Sequence, residues 1–298
     1  MQISRIGEFG LIERIKKLTR TDSSVIKGIG DDCAVIRGSA NKYLLFTCDM
    51  LIEGVDFRPK DRPYLIGRKS LAVSLSDIAA CAGKPGHCLV SLGINKNTKL
   101  EKVDAIYKGM LDLARRYKVN IVGGDISRAD KLTIDVSMLG EVEKKYLILR
   151  SGARPGDIVF VSGSLGGSIR GRHLSFEPRL KEARFLAENF KPSAMIDISD
   201  GLAQDLRQIL KASGVGGVLY EELIPLARQA RSLREALYMG EDFELLFTLS
   251  RSQANRLFMQ GLKLFRPIGE ITKAKSGLKL IDRENRIRFI NSGGFRHF

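Results

Sequence analysis

The segment Ser70-Leu-Ala-Val-Ser-Leu-Ser-Asp-Ile-Ala-Ala80 consists almost entirely of small and apolar residues. It predicts a buried helix, which we extend over Tyr64–Cys81. Ser70, Ser74 and Asp77 are spaced four and then three residues apart, so they lie on one face of that helix. An aspartate inside a buried helix is costly unless it is paired or bound to a cation. Asp77 is therefore a candidate cation ligand, with a buried Asp–Arg pair as the main alternative.

Outside this helix, short apolar runs alternate with longer helical patterns, which predicts an α/β fold with mixed sheets. The connector Arg150-Ser-Gly-Ala-Arg-Pro-Gly-Asp157 holds a proline and two glycines and is typical of a turn between domains. We therefore predict two domains, residues 1–148 and 149–298. Within the second domain the pattern predicts helices that include 200–212 and 226–237. Both halves mix strands and helices, as two related lobes would.

The composition is that of a folded chain with a strongly basic balance. Of the 298 residues, 44% are hydrophobic and 28% are charged, and the net charge is +15. This charge favours anionic ligands, but the basic residues are spread along the chain and are not interleaved with stacking aromatics. Solvated helix faces account for them, and a basic nucleic-acid-binding protein is kept as the alternative from another class.

The lack of a visible targeting signal and the spacing of the cysteines favour an intracellular protein. No segment approaches the roughly 18–20 apolar residues that span a bilayer, and the N-terminus lacks the pattern of a secretory signal. We expect a cytoplasmic protein without membrane contact. Only three histidines occur, which argues against a histidine-rich zinc site. No CxxC pair occurs, and we expect all four cysteines to be buried and reduced: Cys33, Cys48, Cys81 and Cys88.

Aspartates recur at the ends of apolar segments, next to glycine or serine. Taken alone, each is explained almost as well by a turn, and Asp200 could cap the helix that follows it. Mg²⁺ prefers oxygen ligands and is typically bound by one or two carboxylates together with phosphate oxygens. The shared placement therefore predicts several Mg²⁺ ions on a polyphosphate. The segments are Gly28-Ile-Gly-Asp-Asp-Cys33, Thr47-Cys-Asp49, Gly123-Gly-Asp125, Ile196-Asp-Ile-Ser-Asp200 and Gly240-Glu-Asp-Phe-Glu244.

Common nucleotide-binding motifs are absent from the sequence. It contains neither a GxxxxGK[ST] loop nor the HRD and DFG motifs of protein kinases. The loop Gly163-Ser-Leu-Gly-Gly-Ser168 lacks the lysine of a phosphate-binding loop, so a flexible turn and a phosphate cradle both stay open. If the chain uses ATP, it does so through a different fold.

The order of the motifs closely resembles that of the thiamine-monophosphate kinase family, over nearly the whole chain. The resemblance implies the two-lobed fold of aminoimidazole ribonucleotide synthetase-like enzymes, with N-terminal lobes that pair in a homodimer. It also implies that ATP and several Mg²⁺ ions serve to phosphorylate thiamine monophosphate to thiamine diphosphate. It rests on residues 28–34, Asp49-Met-Leu-Ile-Glu-Gly-Val-Asp56, Ser74-Leu-Ser-Asp77, Gly123-Gly-Asp125, 150–157, Ile196-Asp-Ile-Ser-Asp-Gly-Leu202 and Gly240-Glu-Asp-Phe-Glu-Leu-Leu-Phe247.

The resemblance also assigns site residues position by position. It implies magnesium ligands at Asp32, Thr47, Cys48, Asp49, Asp77, Asp125, Asp197 and Asp200. It implies nucleotide contacts at Tyr107, Gly124, Asp125, Arg150 and Ser199, and substrate contacts at Asp56, Glu241 and Phe295. Three positions depart from the family pattern, because Cys48 replaces a usual Thr, Asp56 a common His, and Met239 a usual Gly. A thiol is a poor Mg²⁺ ligand, so we expect any contact at Cys48 to use its backbone carbonyl.

The implied reaction needs no dedicated catalytic base. The acceptor is a phosphate whose second pKa is about 6, so its oxygen is already largely ionised at neutral pH. Mg²⁺ and Arg150 would offset the repulsion between two anions held in line. The nearest alternative is another ATP-using enzyme of the same superfamily with a different acceptor. Selenophosphate synthetases are disfavoured, since the first cysteine, Cys33, lies inside the Gly-Asp motif and not before it.

Overall fold

Consecutive halves of the chain form two β-sheets in the computed structural model, which describes residues 2–290 and 293–294. The strands of the first half are β1 (Val25–Lys27), β2 (Ala34–Arg37), β3 (Lys42–Ile52), β4 (Lys84–Ile94), β5 (Asn120–Arg128) and β6 (Thr133–Glu143). Its helices are α1 (Gly7–Leu18), α2 (Pro63–Ala80) and α3 (Leu100–Tyr117). The strand order is β1-β2-β3-β6-β4-β5, antiparallel except for the parallel pair β4 and β5. We call this half the first lobe.

The second half forms a sheet of its own, and we call it the second lobe. Its strands are β7 (Ile158–Ser162), β8 (Ala194–Asp197), β9 (Gly216–Tyr220), β10 (Leu245–Leu249), β11 (Phe265–Thr272), β12 (Leu278–Ile281) and β13 (Ile287–Phe289). Its helices are α4 (Leu180–Asn189), α5 (Leu202–Ser213), α6 (Leu233–Tyr238) and α7 (Arg251–Met259). The strand order is β13-β12-β9-β11-β7-β10-β8, with one parallel pair, β9 and β12. Mixed sheets in both lobes confirm the predicted α/β class.

Helix α2 is the central element because it packs against both lobes. It contacts β3, β6 and α3 of the first lobe, and β8 and α4 of the second. Almost all of its residues are buried, as its small and apolar composition predicted. Two glycines allow its close approach to α3: a Cβ at Gly67 would lie 1.9 Å from the carbonyl oxygen of Ile106, and one at Gly109 would lie 1.9 Å from that of Tyr64. Side chains on α2 can therefore reach groups of both lobes.

The helix predicted over 226–237 is wrong in its first half, since only α6 forms. The N–H of Leu165 donates to the carbonyl of Pro225, and that of Ala227 donates to the carbonyl of Leu165. This bridge to the loop after β7 pairs Leu226 with Leu165 as in a β-sheet, so Leu226 is extended and cannot belong to a helix. The sequence pattern also gives no signal for β9, because the strand begins with two glycines, Gly216 and Gly217.

The described residues also test two smaller expectations. Among the described helices, none is long and apolar enough to cross a bilayer. All four cysteines are free, and three are buried as expected, but Cys48 is exposed. The reason is the alternation of side chains along β3, where Thr47 points toward α2 and Cys48 toward the opposite, open face of the sheet.

Candidate functional site

Three carboxylates from separate elements converge between the two lobes. Asp32 precedes β2, Asp77 lies in the last turn of α2, and Asp197 ends β8. One oxygen of each carboxylate lies within 4.8 Å of those of the other two. Asp32 and Asp197 are buried and Asp77 is half-buried. A set of carboxylate oxygens at this spacing suits a hard divalent cation such as Mg²⁺. We call these three residues the carboxylate cluster.

The pKa values in the carboxylate cluster are raised by crowding and burial. Burial, together with the negative charge of Asp32, raises the pKa of Asp197 to about 7. Burial also raises the pKa of Asp77 well above its usual range, and the charges of Asp49, Asp197 and Asp32 add to the effect. Like charges at this separation disfavour full ionisation unless a cation neutralises them. The cluster is therefore arranged to gain from a bound cation.

Two hydroxyl groups hold members of the carboxylate cluster in place. Ser76 Oγ of α2 donates a hydrogen bond of 2.5 Å to Asp197 Oδ2 of β8. Thr47 Oγ1 of β3 donates to Asp77 Oδ2. Asp77 therefore has a hydroxyl partner, and no ion pair to arginine is found for it in the part of the chain that the structure describes. The alternative of a buried Asp–Arg pair is not what the structure contains.

Asp49 of β3 lies near the carboxylate cluster and its charge acts on Asp77, whereas the side chain of its neighbour Cys48 points away. Ser74 Oγ of α2 donates to Asp49 Oδ2 at 2.7 Å. Burial raises the pKa of Asp49 to about 6, with the charges of Asp135 and Asp32 opposing the hydrogen bond from Ser74. Cys48 points to the other face of the sheet, where its Sγ lies 3.0 Å from Asp135 Oδ2. Only the backbone of Cys48 can face the cluster.

Arg150 supplies positive charge at the edge of the carboxylate cluster. Its Nη2 lies 2.8 Å from Asp32 Oδ1, and its backbone N–H donates to Asp31 Oδ1 at 3.1 Å. Burial opposes the charge of Arg150, but the carboxylates of Asp32 and Asp31 outweigh it and raise the pKa of the guanidinium. Arg150 Nε and Asp32 Oδ2 are buried without hydrogen-bond partners among the described residues. Such unsatisfied groups are rare in cores and fit a site that awaits a ligand.

The turn after β8 carries Asp200 next to the carboxylate cluster. Gly201, and not Asp200, is the N-cap residue of α5. The capping alternative for Asp200 is therefore not realised. Instead, the N–H of Asp200 donates to Asp205 Oδ2 at 3.1 Å. Burial, and then the charges of Asp200 and Asp197, raise the pKa of Asp205 well above its usual range. Asp205 thus extends the set of crowded carboxylates.

The described candidates for substrate binding come from different lobes and are joined by Lys69. Lys69 Nζ donates to the backbone carbonyl of Asp56 at 2.6 Å and forms an ion pair with Glu241. The N–H of Glu241 donates to the carbonyl of Ser199 at 2.7 Å, next to Asp200. Phe295, the third predicted substrate contact, lies outside the described residues.

Comparison with known proteins decides the family. Residues 30–142 match the family model "AIR synthase related protein, N-terminal domain", and residues 154–280 match the corresponding C-terminal domain. Thiamine-monophosphate kinase of Bacillus subtilis (strain 168) is 36% identical, over 98% of this chain and 100% of its own length. The chain belongs to the thiamine-monophosphate kinase family. The family resemblance predicted from the motifs is confirmed.

Solved structures of the thiamine-monophosphate kinase family confirm the two-lobed fold. One, described as AaThiL complexed with AMPPCP and TMP, has a TM-score of 0.88 at 31% identity and covers 100% of this chain and 99% of its own. Thiamine monophosphate kinase from Aquifex aeolicus gives a TM-score of 0.79 at 30% identity, over 94% of this chain and 98% of its own.

In this member of the thiamine-monophosphate kinase family, Asp125 lies away from the carboxylate cluster. It belongs to β5, the exposed edge strand of the first sheet. Its register partner on β4 is Ser91, followed across the sheet by Asp135 and Met50. Neighbours across strands share a face, and successive residues alternate. Asp125 is thus on the open face with Met50, and Asp49 is on the opposite face.

Tyr107 and Gly124 lie by β4 and β5, at the edge of the first sheet, and not with Asp125 on its open face. Tyr107 of α3 is half-buried against the core, where burial and the nearby Cys88 raise its pKa. Gly124 sits so close to β4 that a Cβ would lie 1.7 Å from the carbonyl oxygen of Val90. Of the predicted nucleotide contacts, the structure brings only Arg150 and Ser199 to the region of the carboxylate cluster.

Three backbone N–H groups of the loop at 163–168 are engaged within the protein, whereas Ser168 Oγ is buried without a hydrogen-bond partner among the described residues. The N–H groups of Gly163 and Leu165 donate to backbone carbonyls, and that of Gly166 donates to Asp242 Oδ2 at 2.8 Å. These three N–H groups are therefore not available to a phosphate. The acidic segment before β10 fixes the loop.

Several residues of the site were not assigned a role from the sequence. They include Asp31, which holds the backbone of Arg150; Ser76, which holds Asp197; Lys69, which joins the substrate residues; and Asp205, which accepts from the N–H of Asp200. A signal existed for two of them. Asp31 adjoins Asp32, and Lys69 places a charge at the start of the apolar run on α2. Ser76 stands out only once β8 is known to pack on that helix.

Proposed function

We propose that this protein phosphorylates thiamine monophosphate with ATP, giving thiamine diphosphate and ADP. The observation that carries the proposal is the convergence of Asp32, Asp77 and Asp197 beside Arg150, in a chain of the thiamine-monophosphate kinase family. The related AaThiL was solved with TMP and with AMPPCP, an analogue of ATP, and matches this chain over its whole length. The similarity to AaThiL is the basis for proposing ATP as the phosphate donor and thiamine monophosphate as the acceptor.

Mg²⁺ fits the carboxylate cluster by the nature of its donors. All candidate ligand atoms are oxygens, and Asp32 Oδ2 is buried with no hydrogen-bond partner in the described chain. We propose that Asp32, Asp77 and Asp197 hold Mg²⁺ and that Thr47, Asp49 and Asp200 complete its surroundings. Mg²⁺ bound there would neutralise phosphate oxygens and so lower the repulsion between the two substrates.

In the proposed reaction the residues of the chain position the two substrates and neutralise their negative charge, and none acts as a base. The acceptor phosphate has a second pKa of about 6, so it is already ionised at neutral pH. Arg150 keeps its charge at the edge of the cluster, with its Nε free of protein partners among the described residues, and can donate to a phosphate of the nucleotide. Hydroxyl groups of Ser74 and Ser76 fix two carboxylates before the substrates bind.

We propose that Asp56 and Glu241 bind the acceptor, with Phe295 as a further predicted contact. Asp56 Oδ2 accepts a hydrogen bond of 2.7 Å from the N–H of Ile52, so this oxygen shapes the turn after β3. Its other oxygen has no hydrogen-bond partner among the described residues and can bind the acceptor. Glu241 carries its negative charge on a side chain that is 20% exposed, where it can meet the cationic ring of thiamine.

We propose that the protein acts as a homodimer through the open face of the first sheet. This face exposes Phe46, Met50 and Leu89, which are 45%, 57% and 47% accessible in the single chain. Apolar residues side by side on an uncovered sheet favour a second copy as partner. Asp125 lies on the same face and would then come close to the partner copy.

Three further expectations complete the proposal. Residues 1–148 serve as the domain for ATP, Mg²⁺ and dimerisation, and residues 149–298 complete the active site. The enzyme works in the cytoplasm, where ATP is available. It requires neither nucleic acid nor a membrane.

The proposal is tested by ATP consumption with thiamine monophosphate or free thiamine, each with Mg²⁺ or with EDTA. We expect turnover only with thiamine monophosphate and Mg²⁺, and thiamine diphosphate as the product. ATP consumption without thiamine diphosphate would indicate a superfamily enzyme with another acceptor. Binding of RNA that weakens steeply with salt, in the absence of any turnover, would favour the nucleic-acid alternative.

A further inference from the structure

Lys69 is a lysine inside the core. It lies in the middle of α2, and only 1% of its side chain is exposed. Burying an ammonium group is costly unless ion pairs and hydrogen bonds replace its water. A lysine buried in a helix of small and apolar residues therefore needs a partner for its charge that is held in a fixed position.

The partners of Lys69 come from both lobes. In the first lobe, Nζ donates to the backbone carbonyl of Asp56 at 2.6 Å. In the second lobe, the ammonium forms a hydrogen-bonded ion pair with Glu241 Oε1. Both partners belong to the residues that we propose bind the acceptor. One ammonium group therefore connects the two halves of that site.

The backbone of Glu241 is held as firmly as its side chain. Its φ is +57°, a left-handed conformation that is unusual for a residue other than glycine. Its N–H donates to the carbonyl of Ser199, and a Cβ at the preceding Gly240 would lie 2.3 Å from the same oxygen. The second carboxylate oxygen, Oε2, lies 4.0 Å from Nε2 of His173, whose pKa burial lowers. Lys69 is thus the firm cationic partner of this carboxylate.

We propose that Lys69 is a positioning residue for the acceptor, acting through Glu241 and the carbonyl of Asp56. Its burial keeps it from touching the substrate, so its effect passes through these partners. The ion pair orients the carboxylate of Glu241, whose side chain is 20% exposed, toward the cationic ring of thiamine monophosphate. The bond to Asp56 sets the distance between the two halves of the acceptor site. The inference rests on the function proposed above.

The experiment compares Lys69→Met, Glu241→Gln and the double variant with the unmodified protein in the kinase assay. Loss of a charged hydrogen bond that orients a binding group should raise the KM for thiamine monophosphate about 10-fold or more. The KM for ATP should stay within about 2-fold, since Lys69 contacts no proposed nucleotide residue. The KM of the double variant for thiamine monophosphate should not exceed that of Glu241→Gln alone, because both changes remove the same interaction.

Lys42→Met is the matched control. Lys42 also belongs to the first lobe and also pairs with a glutamate, Glu141, at 2.6 Å, but on a half-exposed surface. We expect it to leave both KM values unchanged. Lys69→Met leaves the charge of Glu241 unpaired and could fail to fold. The double variant buries no unpaired charge, so it still shows whether the KM for thiamine monophosphate rises while the KM for ATP does not.

Two results would overturn the inference while leaving the proposed function intact. One is an equal rise of both KM values, which would mark Lys69 as merely structural. The other is an additive effect in the double variant, which would show that Lys69 does not act through Glu241. An unmodified protein that makes no thiamine diphosphate would instead refute the proposed function itself.

Discussion

The hydroxyl of Ser76 donates a hydrogen bond of 2.5 Å to Asp197, across the boundary between the two lobes. Ser76 belongs to α2 and Asp197 ends β8. Both residues are buried, so the bond joins the lobes at the carboxylate cluster itself. Mutation of a group that hydrogen-bonds a metal ligand and orients it typically costs roughly 10–100-fold in metal affinity.

Ser76→Ala should therefore weaken magnesium binding. We expect the Mg²⁺ concentration needed for half-maximal activity to rise about 10-fold, as it does when other groups that hydrogen-bond a metal ligand are removed. We also expect a loss of about 1–3 kcal/mol in the free energy of unfolding, because a buried carboxylate loses its hydroxyl partner. Ser70→Ala is the control, since Ser70 Oγ donates to the carbonyl of Gly67 within its own helix. Equal magnesium requirements in both variants would contradict the role of Ser76.

The crowded carboxylates should make the stabilising effect of Mg²⁺ depend on pH. The pKa values of Asp49 and Asp197 are raised to about 6 and about 7 in the folded protein. An unfolded aspartate has a pKa of about 3.9. The folded state therefore binds more protons between about pH 4 and pH 7, and these groups lower the stability as pH rises through that range. We expect Mg²⁺ to raise the Tm more at pH 8 than at pH 5, where protons compete with it.

Asp197→Asn isolates this contribution from the other titrating groups. In EDTA the variant should lose less stability than the unmodified protein between pH 5 and pH 8, because one raised carboxyl group is removed. Its Tm should also respond little to Mg²⁺. The Tm of the unmodified protein and of Asp197→Asn is measured by thermal unfolding at pH 5 and pH 8, each with Mg²⁺ or with EDTA. An equal Mg²⁺ response of the unmodified protein at pH 5 and pH 8 would refute the titration argument.

The sequence predicts the position of a site residue well only where that position depends on one helix or strand. The composition around Asp77 predicts a buried helix, and the order of the motifs predicts the family and both lobes. Spacing along one strand or helix also places Asp49 and Ser74 correctly, since each faces the neighbouring element. The meeting of Asp32 with Asp197 depends on how two sheets dock, and no local period contains that information.

Other features could not be predicted because they depend on contacts between distant segments. The failed helix at 226–232 is replaced by a bridge to Leu165, about 60 residues earlier in the chain. The position of Asp125 on the open face follows from the register of β5 against β4, which has an irregularity at Cys88. A slip of one residue in a strand moves a side chain to the other face.

The open face of the first sheet should mediate dimerisation. Phe46→Lys places a charge among apolar residues of the proposed interface, and it should shift the protein from dimer to monomer. Met259→Lys is the control, since Met259 is 88% exposed at the end of α7 in the second lobe. Sedimentation velocity of the three proteins measures the change. A monomeric unmodified protein, or a dimer that persists in Phe46→Lys, would contradict this interface.

Asp49 and Asp125 should complement each other between the two subunits of that dimer. Both are predicted magnesium ligands, but within one chain they lie on opposite faces of the first sheet. We therefore expect Asp49→Asn and Asp125→Asn each to abolish most of the turnover without unfolding the chain. If Asp125 serves the partner's site, a mixed dimer has one site with both changes and one site with neither. Refolding the two variants together in equal amounts should then restore about a quarter of the normal activity, because half of the dimers are mixed. No recovery would show that Asp125 does not act across the interface, and full activity of Asp125→Asn alone would remove it from the magnesium ligands.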